Sequence, residues 1–146
     1  MGKVLEIGIT NNKGGQIKNV SKIEVLKGKG ILNDRKFREN NHRESQITLI
    51  EIENINHFNK ISGTFILPKE FRRNIITAGI KLNDLIGNEF LIGKVKVKAH
   101  DLCRPCKSLQ DSLTQKNLIK EMMRKAGLRC EILTDGKIFV GNEINH

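Results

Sequence analysis

Hydrophobic and polar residues alternate over short stretches along most of the chain, and this pattern predicts short β-strands. The clearest case is Lys94–Ala99, where valine and alanine alternate with lysine, so that one face of the strand is apolar and the other is charged. Similar segments rich in β-branched residues recur from one end of the sequence to the other. The other predicted strands are Val4–Thr10, Val20–Leu26, Gln46–Ile52, Asn74–Thr77, Glu89–Ile92, Leu128–Ile132 and Lys137–Val140.

Two segments have helical patterns. In Thr114–Ala126 the apolar residues fall at i, i+1, i+4, i+5 and i+8 and form one stripe, and Gly127 stands where a left-handed helix cap belongs. Glu53–Lys60 is a second, shorter helical segment. Asp135-Gly136 predicts a hairpin between the strands on either side of it. Many short strands with few helices predict a mainly β fold, a closed or nearly closed β-barrel with one or two peripheral helices, which leaves no exposed sheet edges.

The length and composition exclude several classes of protein. The chain has 146 residues, which fits a single domain spanning residues 1–146. Its longest apolar runs, such as Gln46–Ile52 and Glu89–Gly93, are far shorter than the roughly 18–20 residues that span a bilayer. Glu6 interrupts any secretory signal, so we expect a cytoplasmic protein with no membrane partner. Three cysteines are too few for a disulfide scaffold, and an odd number cannot all be paired within one chain.

The net charge allows two interpretations. Lys and Arg number 26 against 16 Asp and Glu, which gives +10. One interpretation is a solvated basic surface without a specific function. The excess of Lys over Arg, 18 to 8, then reflects a general bias in the amino-acid composition. The other is a preference for an anionic ligand or partner. A small basic barrel that binds RNA or single-stranded DNA is an alternative function, but six Phe with no Tyr or Trp leave little for base stacking.

The segment Cys103-Arg104-Pro105-Cys106-Lys107 contains the most informative chemistry. It follows a predicted strand and precedes helix-like sequence, and both Arg104 and Lys107 favour the thiolate form of a nearby cysteine. A thiolate is the form that acts as a nucleophile, a sulfur carrier or a soft-metal ligand. We therefore predict that Cys106, and next to it Cys103, carries the chemistry, with Cys106 also the residue that would bind a metal.

Three other interpretations of these cysteines remain open. His100, Cys103, Cys106 and Cys130 are ligands of the right type for structural zinc. Cys-x-Pro-Cys also resembles a dithiol redox motif, although no proline follows Pro105 and no βαβ pattern surrounds it. The third interpretation is two thiols in a turn with no chemistry. Cys130 itself alternates with apolar residues, which favours a core position.

A second group of candidate residues is Arg72-Arg73-Asn74, at the entry to a predicted strand. Arginine binds phosphate through paired hydrogen bonds that lysine cannot form, and asparagine can contact the amide edge of a heterocycle. Asp34 and Arg43 lie in a polar loop further upstream and are weaker candidates for the same site.

Taken in order, these motifs resemble those of the MOSC family, the C-terminal domain of molybdenum cofactor sulfurases. The resemblance covers nearly the whole chain, so the sequence looks like a small stand-alone member. The matching segments are Gly28–Asp34, Arg43 ahead of Ile47–Ile50, Arg72–Ile75, Leu85–Gly93, Cys103–Cys106 and Gly136–Ile144.

The resemblance implies a barrel of the kind first described for a pyruvate kinase domain, and a role in molybdenum cofactor chemistry. Cys106 would bear a persulfide or bind molybdenum. Arg72, Arg73 and Asn74 would lie on the phosphate side of the cofactor, a molybdopterin. The other residues that we expect to contribute to cofactor binding are Arg104, Lys107, Asp34 and Arg43.

The resemblance also implies partners: a pyridoxal phosphate-dependent cysteine desulfurase or a molybdoenzyme. The chain would then be a sulfur transferase or a component of a molybdenum-dependent reductase. Two features depart from the family pattern. Asn33 stands where the family usually has glycine, and Arg35-Lys36 replace a histidine that often follows the aspartate. The segments of the larger relatives that reduce N-hydroxylated substrates are absent, which argues against a self-sufficient reductase.

Overall fold

Short strands account for most of the regular structure, as the alternating sequence predicts. The computed structural model describes residues 2–104, 110–111, 113 and 117–146. In this part of the chain the strands are β1 (Gly2–Ile9), β2 (Lys18–Val20), β3 (Lys22–Leu26), β4 (Gly30–Ile31), β5 (Ile47–Glu51), β6 (Ile75–Ala78), β7 (Glu89–Ile92), β8 (Val95–Leu102), β9 (Leu128–Ile132), β10 (Gly136–Phe139) and β11 (Glu143–Asn145).

Seven of these strands close into a barrel, in the order β11-β7-β8-β9-β5-β6-β1, and β1 pairs back with β11. Neighbouring strands are antiparallel except β5 and β6, which run parallel and are joined by a helical crossover. β2 extends the sheet beyond β1, and β10, β3 and β4 form a separate three-stranded sheet. The prediction of a mainly β, closed barrel with peripheral helices is therefore confirmed.

One apolar core fills the barrel and continues under the small sheet. Ile47 and Leu49 of β5, Val97 of β8 and Cys130 of β9 are completely buried in this core. Ile23 and Val25 are buried in the same core, which joins the small sheet to the barrel. Their side chains alternate with exposed lysine and glutamate, so the period of two predicted from the sequence is the period of burial.

A second, smaller core lies outside the barrel, beneath the helices. Helix α1 (Ile52–Ser62) buries Ile55 and Phe58 in it, and ends at Gly63, whose φ of 66° forms a left-handed cap. A 3-10 helix at Pro68–Phe71 adds Phe71, which packs edge to face on Phe58 with ring centroids 6.1 Å apart. A second 3-10 helix spans Leu82–Leu85. In the described residues no helix is long and apolar enough to cross a membrane.

The helix predicted over Thr114–Ala126 is much shorter in the structure. Of that range residues 114–116 lie outside the described part, and α2 covers only Leu118–Glu121. The chain then leaves the helix through turns, with Arg124 at a φ of 62°, to reach the start of β9 beside β5. Strand pairing overrides the helical pattern here, and Met123 of the predicted stripe is 56% exposed.

Two predictions about strand connection are also wrong. Val20–Leu26 is divided between β2 and β3, which belong to different sheets. Asp135-Gly136 does not form a hairpin, because β10 pairs with β3 rather than with β9. Gly136 lacks the positive φ that a tight hairpin turn requires, and the Asp135 carboxylate instead accepts a hydrogen bond from the Lys27 N–H at 2.7 Å.

The approach of Gly127 to β5 leads to a testable prediction. Its φ is 98°, and a Cβ atom there would collide with the backbone carbonyl of Leu49. Gly127→Ala should lower the free energy of unfolding by about 3 kcal/mol or more, because neither backbone segment can move without breaking strand pairs. The measurement is urea unfolding followed by circular dichroism.

Gly63→Ala is the matched control, because Gly63 has a similarly left-handed φ but open space around it. It should cost only about 1–2 kcal/mol, the steric penalty of the conformation itself. Equal losses in the two variants would show that crowding at Gly127 is not the cause.

Candidate functional site

Cys103 lies directly after β8, at the mouth of the barrel. Its backbone N–H donates to the Gly127 carbonyl at 2.7 Å, which continues the pairing of β8 and β9 by one residue. The side chain is 5% exposed. β8 thus places the Cys103 thiol in a nearly buried position.

Three cations surround this thiol. Arg73, Lys36 and Arg129 are close enough to the Cys103 thiol to act on it electrostatically. Burial has the largest effect and raises the pKa of Cys103, while the three cations oppose that rise. A negative charge at this position, on sulfur or on a ligand, would have cations on several sides.

The Arg73 side chain is held in place by backbone carbonyls. Its Nε donates to the Ala126 carbonyl at 2.9 Å, and Nη1 donates to the Phe71 carbonyl at 3.2 Å. Both acceptors are neutral, so the guanidinium is fixed without its charge being cancelled. Arg129 differs, because its Nη2 donates to the carboxylates of Asp101 and Glu44 at 3.3 and 3.4 Å.

Asn74, the next residue, fixes the backbone from which Arg73 projects. Its Oδ1 accepts from both the N–H and the hydroxyl of Thr48 at 3.1 Å, and its Nδ2 donates to the Gly8 carbonyl at 3.2 Å. Its own N–H donates to the Thr48 hydroxyl. The side chain is buried and its polar atoms bond to β1 and β5. This arrangement gives Asn74 a positioning role.

Asp34 organises the loop that carries Lys36. The carboxylate accepts from the Thr10 N–H at 3.1 Å and from the Lys36 N–H at 3.3 Å. Asn33 has a φ of 72°, a left-handed conformation that asparagine tolerates and that glycine adopts freely. The departure from the family's glycine at this position therefore keeps the turn.

Among the described residues, no carboxylate compensates the charge of Lys36 to a comparable degree. Its pKa is lowered, first by burial and then by the charges of Arg35 and Arg73, while Cys103 and Asp34 only partly offset this. The folded protein therefore holds several like charges together at the thiol. Arg35, Lys36 and Arg129 were not among the predicted site residues, although Arg35 and Lys36 directly follow the predicted Asp34.

Arg72 points away from the thiol, into a separate cavity. It has a φ of 65°, and its Nη1 donates to the Gly15 carbonyl at 2.7 Å. Its Nη2 is buried and has no hydrogen-bond partner among the described residues. Burial lowers the pKa of Arg72, as does Arg35, whereas Asp34 raises it. The structure thus separates two arginines that are adjacent in sequence.

The remaining predicted residues are placed as follows. Arg104 is exposed and follows Cys103. Its charge is a minor cause of the lowered pKa of Asp101, which comes first from the Leu102 N–H. Arg43 is exposed in the loop before β5 and is not among the described residues that act on the Cys103 thiol. Cys106 and Lys107 lie outside the described residues.

The structure gives no support to the zinc interpretation within the described part of the chain. No three His, Cys, Asp or Glu side chains there could hold a metal ion together. His100 Nε2 bonds to Glu131 at 2.8 Å. Cys130 is fully buried in the barrel core, and burial strongly raises its pKa. Its alternation with apolar residues correctly indicated a core position.

The arrangement as a whole can bind an anion beside a thiol. The cations at Cys103 are Lys36, Arg73 and Arg129, with Arg35 beside Lys36, and in the described part of the chain they outnumber the carboxylates that reach them. A comparison with protein-family models matches the MOSC domain over residues 26–145. The chain belongs to the MOSC domain family. The association of this family with the molybdenum cofactor fits the positive charge at Cys103.

Solved structures share the MOSC fold of this chain. YuaD from Bacillus subtilis aligns with a TM-score of 0.84 and 21% identity, over 99% of this chain and 94% of that one. YiiM from Geobacillus stearothermophilus aligns with a TM-score of 0.80 and 17% identity, over 99% and 74%. YiiM from Escherichia coli aligns with a TM-score of 0.73 and 15% identity, over 98% and 68%. No curated protein sequence matches the chain.

The like charges at Cys103 should favour the binding of an anion but lower the stability of the folded protein. Lys36 has a lowered pKa in the folded state, so at pH 7 its ammonium group is less favourable there than in the unfolded chain. Lys36→Met should therefore raise the melting temperature by a few degrees, since it keeps the aliphatic stem and removes the charge. Differential scanning calorimetry at pH 7 measures this.

The sign of the effect depends on pH. The advantage of Lys36→Met should shrink as the pH rises through the lowered pKa of Lys36, where the native amine becomes neutral. Lys137→Met, at an exposed lysine of β10, serves as the control and should leave the melting temperature unchanged. A lower melting temperature for Lys36→Met would contradict the electrostatic account.

Proposed function

We propose that this MOSC protein binds the molybdenum cofactor at the cations beside Cys103 and uses the thiolate of Cys106 to carry sulfur or to ligate molybdenum. The observation that carries the proposal is the convergence of Lys36, Arg73 and Arg129 on one buried thiol, three residues before Cys106. Arg129 is paired with Asp101 and Glu44, but Arg73 is held by neutral carbonyls and Lys36 is surrounded mainly by like charges, so the group favours an anionic ligand. The association of the family with this cofactor identifies which anion to test.

The residues present fit a ligand that carries a phosphate. Arg73 is fixed by neutral carbonyls, and the pKa of Lys36 is lowered first by burial and then by the charges of Arg35 and Arg73. A bound phosphate would relieve that repulsion, with charge-assisted hydrogen bonds each contributing about 1.5–3 kcal/mol. Arg35, Lys36 and Arg73 would hold it, while Asn74 and Asp34 position them. Bound here, the cofactor would supply a molybdenum centre for Cys106 to ligate.

The sulfur-carrying step needs a donor that is itself a persulfide. The Cys106 thiolate would attack the outer sulfur of a protein persulfide, such as that of a pyridoxal phosphate-dependent cysteine desulfurase. A new S–S bond forms at Cys106, the donor S–S bond breaks, and the donor cysteine leaves as a thiolate. No net oxidant is consumed. Arg104 and Lys107, which flank Cys106 in the sequence, would favour its anionic form. We propose a cytoplasmic location for this exchange.

Persulfide loading tests the role of Cys106. Incubation with a cysteine desulfurase and cysteine should add one sulfur, about 32 Da, to Cys106 of the native protein. Cys106→Ala should lose that mass gain completely, because the attacking thiolate is absent. Peptide mass spectrometry after alkylation locates the added sulfur.

Cys130→Ala is the matched control. It removes a thiol that is sealed in the barrel core, so loading at Cys106 should persist even if the protein becomes less stable. Added sulfur at Cys103 rather than at Cys106 would reassign the working thiol. Equal loss of loading in the Cys106 and Cys130 variants would reject the assignment.

Cofactor retention tests the cation cluster. Molybdenum cofactor released from a molybdoenzyme should bind the native protein and elute with it in gel filtration. Arg73→Gln should weaken retention at least tenfold, which corresponds to the loss of one charge-assisted bond. Molybdenum analysis of the protein fraction gives the readout.

Arg124→Gln controls for the change in net charge, because Arg124 is an exposed arginine on the turn after α2. It should retain the cofactor as the native protein does. Unchanged retention in Arg73→Gln would place the cofactor elsewhere on the protein.

A further inference from the structure

A cavity of about 420 Å³ lies next to the Cys103 site but is built by other residues. It opens between the loop before β2 and the 3-10 helix Pro68–Phe71. Pockets of about 300–1,000 Å³ are typical of small-molecule sites. Its main lining residues are Gln16, Ile17, Leu67, Lys69, Arg72 and Leu113.

The polar side of this cavity is positively charged. Arg72 and Lys69 both line it, and the one acidic residue known to line it, Glu70, already accepts a hydrogen bond from the Leu67 N–H at 2.8 Å. Nη2 of Arg72 is buried without a partner among the described residues. Leaving a charged donor buried and unsatisfied costs more than a typical hydrogen bond contributes.

The backbone of Arg72 adds a second sign of specialisation. The residue adopts a φ of 65° and caps the 3-10 helix, a position at which glycine would carry no steric penalty. The left-handed conformation costs an arginine about 1–2 kcal/mol. Strain of this kind is typical of functional positions. Here it accompanies a guanidinium that reaches the Gly15 carbonyl with one nitrogen and leaves the other unpaired.

The other side of the cavity is apolar. Ile17 is 8% exposed and Leu67 is 55% exposed, and Leu113 completes this side. A simple inorganic anion would leave these side chains unused. A ligand with a charged head and a small apolar body would satisfy both sides at once.

We propose that this cavity is a second binding site, which takes an organic oxyanion, with its phosphate or carboxylate on Arg72 and Lys69 and its apolar body against Ile17, Leu67 and Leu113. The site is separate from the thiol cluster, because Arg72 donates to the Gly15 carbonyl and lines the cavity, whereas Arg73 donates to the Ala126 carbonyl and does not line it. The inference goes beyond the proposed function and does not depend on it. Arg72, which the family resemblance placed on the phosphate side of the cofactor, is assigned to the cavity instead, and the residues that would hold the cofactor, Arg35, Lys36 and Arg73, do not line it.

Binding of four probes tests the site. Phenyl phosphate and phenylacetate carry the two oxyanion heads on an apolar ring, inorganic phosphate lacks the ring, and benzyl alcohol lacks the charge. Isothermal titration calorimetry should show at least one of the two aromatic anions binding at least fivefold more tightly than inorganic phosphate, with no measurable binding of benzyl alcohol. The stronger of the two identifies the head group. Amide NMR shifts should concentrate on residues 15–17 and 67–72.

Arg72→Gly removes the guanidinium and keeps the left-handed backbone, so the fold should persist with an unchanged or higher melting temperature. It should weaken the aromatic anion at least tenfold. Arg124→Gly is the matched control, because Arg124 also has a positive φ, 62°, and does not line the cavity. It should change affinity by less than twofold.

A second variant, Lys69→Gln, should weaken the same anion by a smaller factor and keeps the proposal testable if Arg72→Gly unfolds. Persulfide loading of Cys106 should be unchanged in both cavity variants, which separates this site from the proposed function. If Arg72→Gly and Arg124→Gly weakened binding of the aromatic anion equally, the effect would come from net charge alone, and the proposal would be overturned. So would NMR shifts confined to Cys103 and Lys36, or tighter binding of inorganic phosphate than of both aromatic anions.

Discussion

The side-chain amide of Asn74 is the interaction on which the rest of the site depends. It joins three strands that are far apart in sequence, through Thr48 of β5 and Gly8 of β1, at the first residue before β6. Buried amides of this kind must be fully paired, because an unpaired donor or acceptor in the interior is costly. The pairing fixes the backbone at the entry to β6, just after Arg72 and Arg73, whose side chains donate to the Gly15 and Ala126 carbonyls respectively. One buried polar residue thus assigns two arginines to two sites.

Charge is distributed around the thiol in a way that does not favour folding. Lys36, Arg35 and Arg73 repel one another at the mouth of the barrel, and the carboxylate of Asp34 already accepts hydrogen bonds from the N–H groups of Thr10 and Lys36. The apolar cores beneath α1 and inside the barrel supply the stability that makes this tolerable. Preorganised cations of this type need no rearrangement when an anion arrives, which is the usual physical basis of strong and selective anion binding.

The sequence predicted those parts of the structure that depend on local pattern. Alternation located nearly all strands of the barrel and the core position of Cys130, and the ordered motifs indicated the family. Contacts between distant segments were not predictable in this way. The Asp135-Gly136 pair has the composition of a hairpin, but β10 gains more by pairing with β3. The stripe in Thr114–Ala126 yields to the need to bring β9 against β5 at Gly127. The cations at Cys103 come from three separate segments, and only Arg73 belonged to a motif that singled it out.

The pairing of β11 with β1 closes the barrel, and it determines where the barrel opens first. β11 has three residues and is registered with β1 through two residue pairs and with β7 through two more, fewer than β8 shares with β9. The β1 residues that pair with β11 lie at the other end of the chain. The pairing of β1 with β11 therefore closes the longest loop and has the largest loop-closure entropy cost. We expect the amides of β11 to exchange with solvent before those of β8 and β9, through local opening that leaves the rest of the sheet intact. β11 can therefore open by itself, and one strand separates it on each side from the strands next to the site, β8, which Cys103 follows, and β6, which Arg73 precedes.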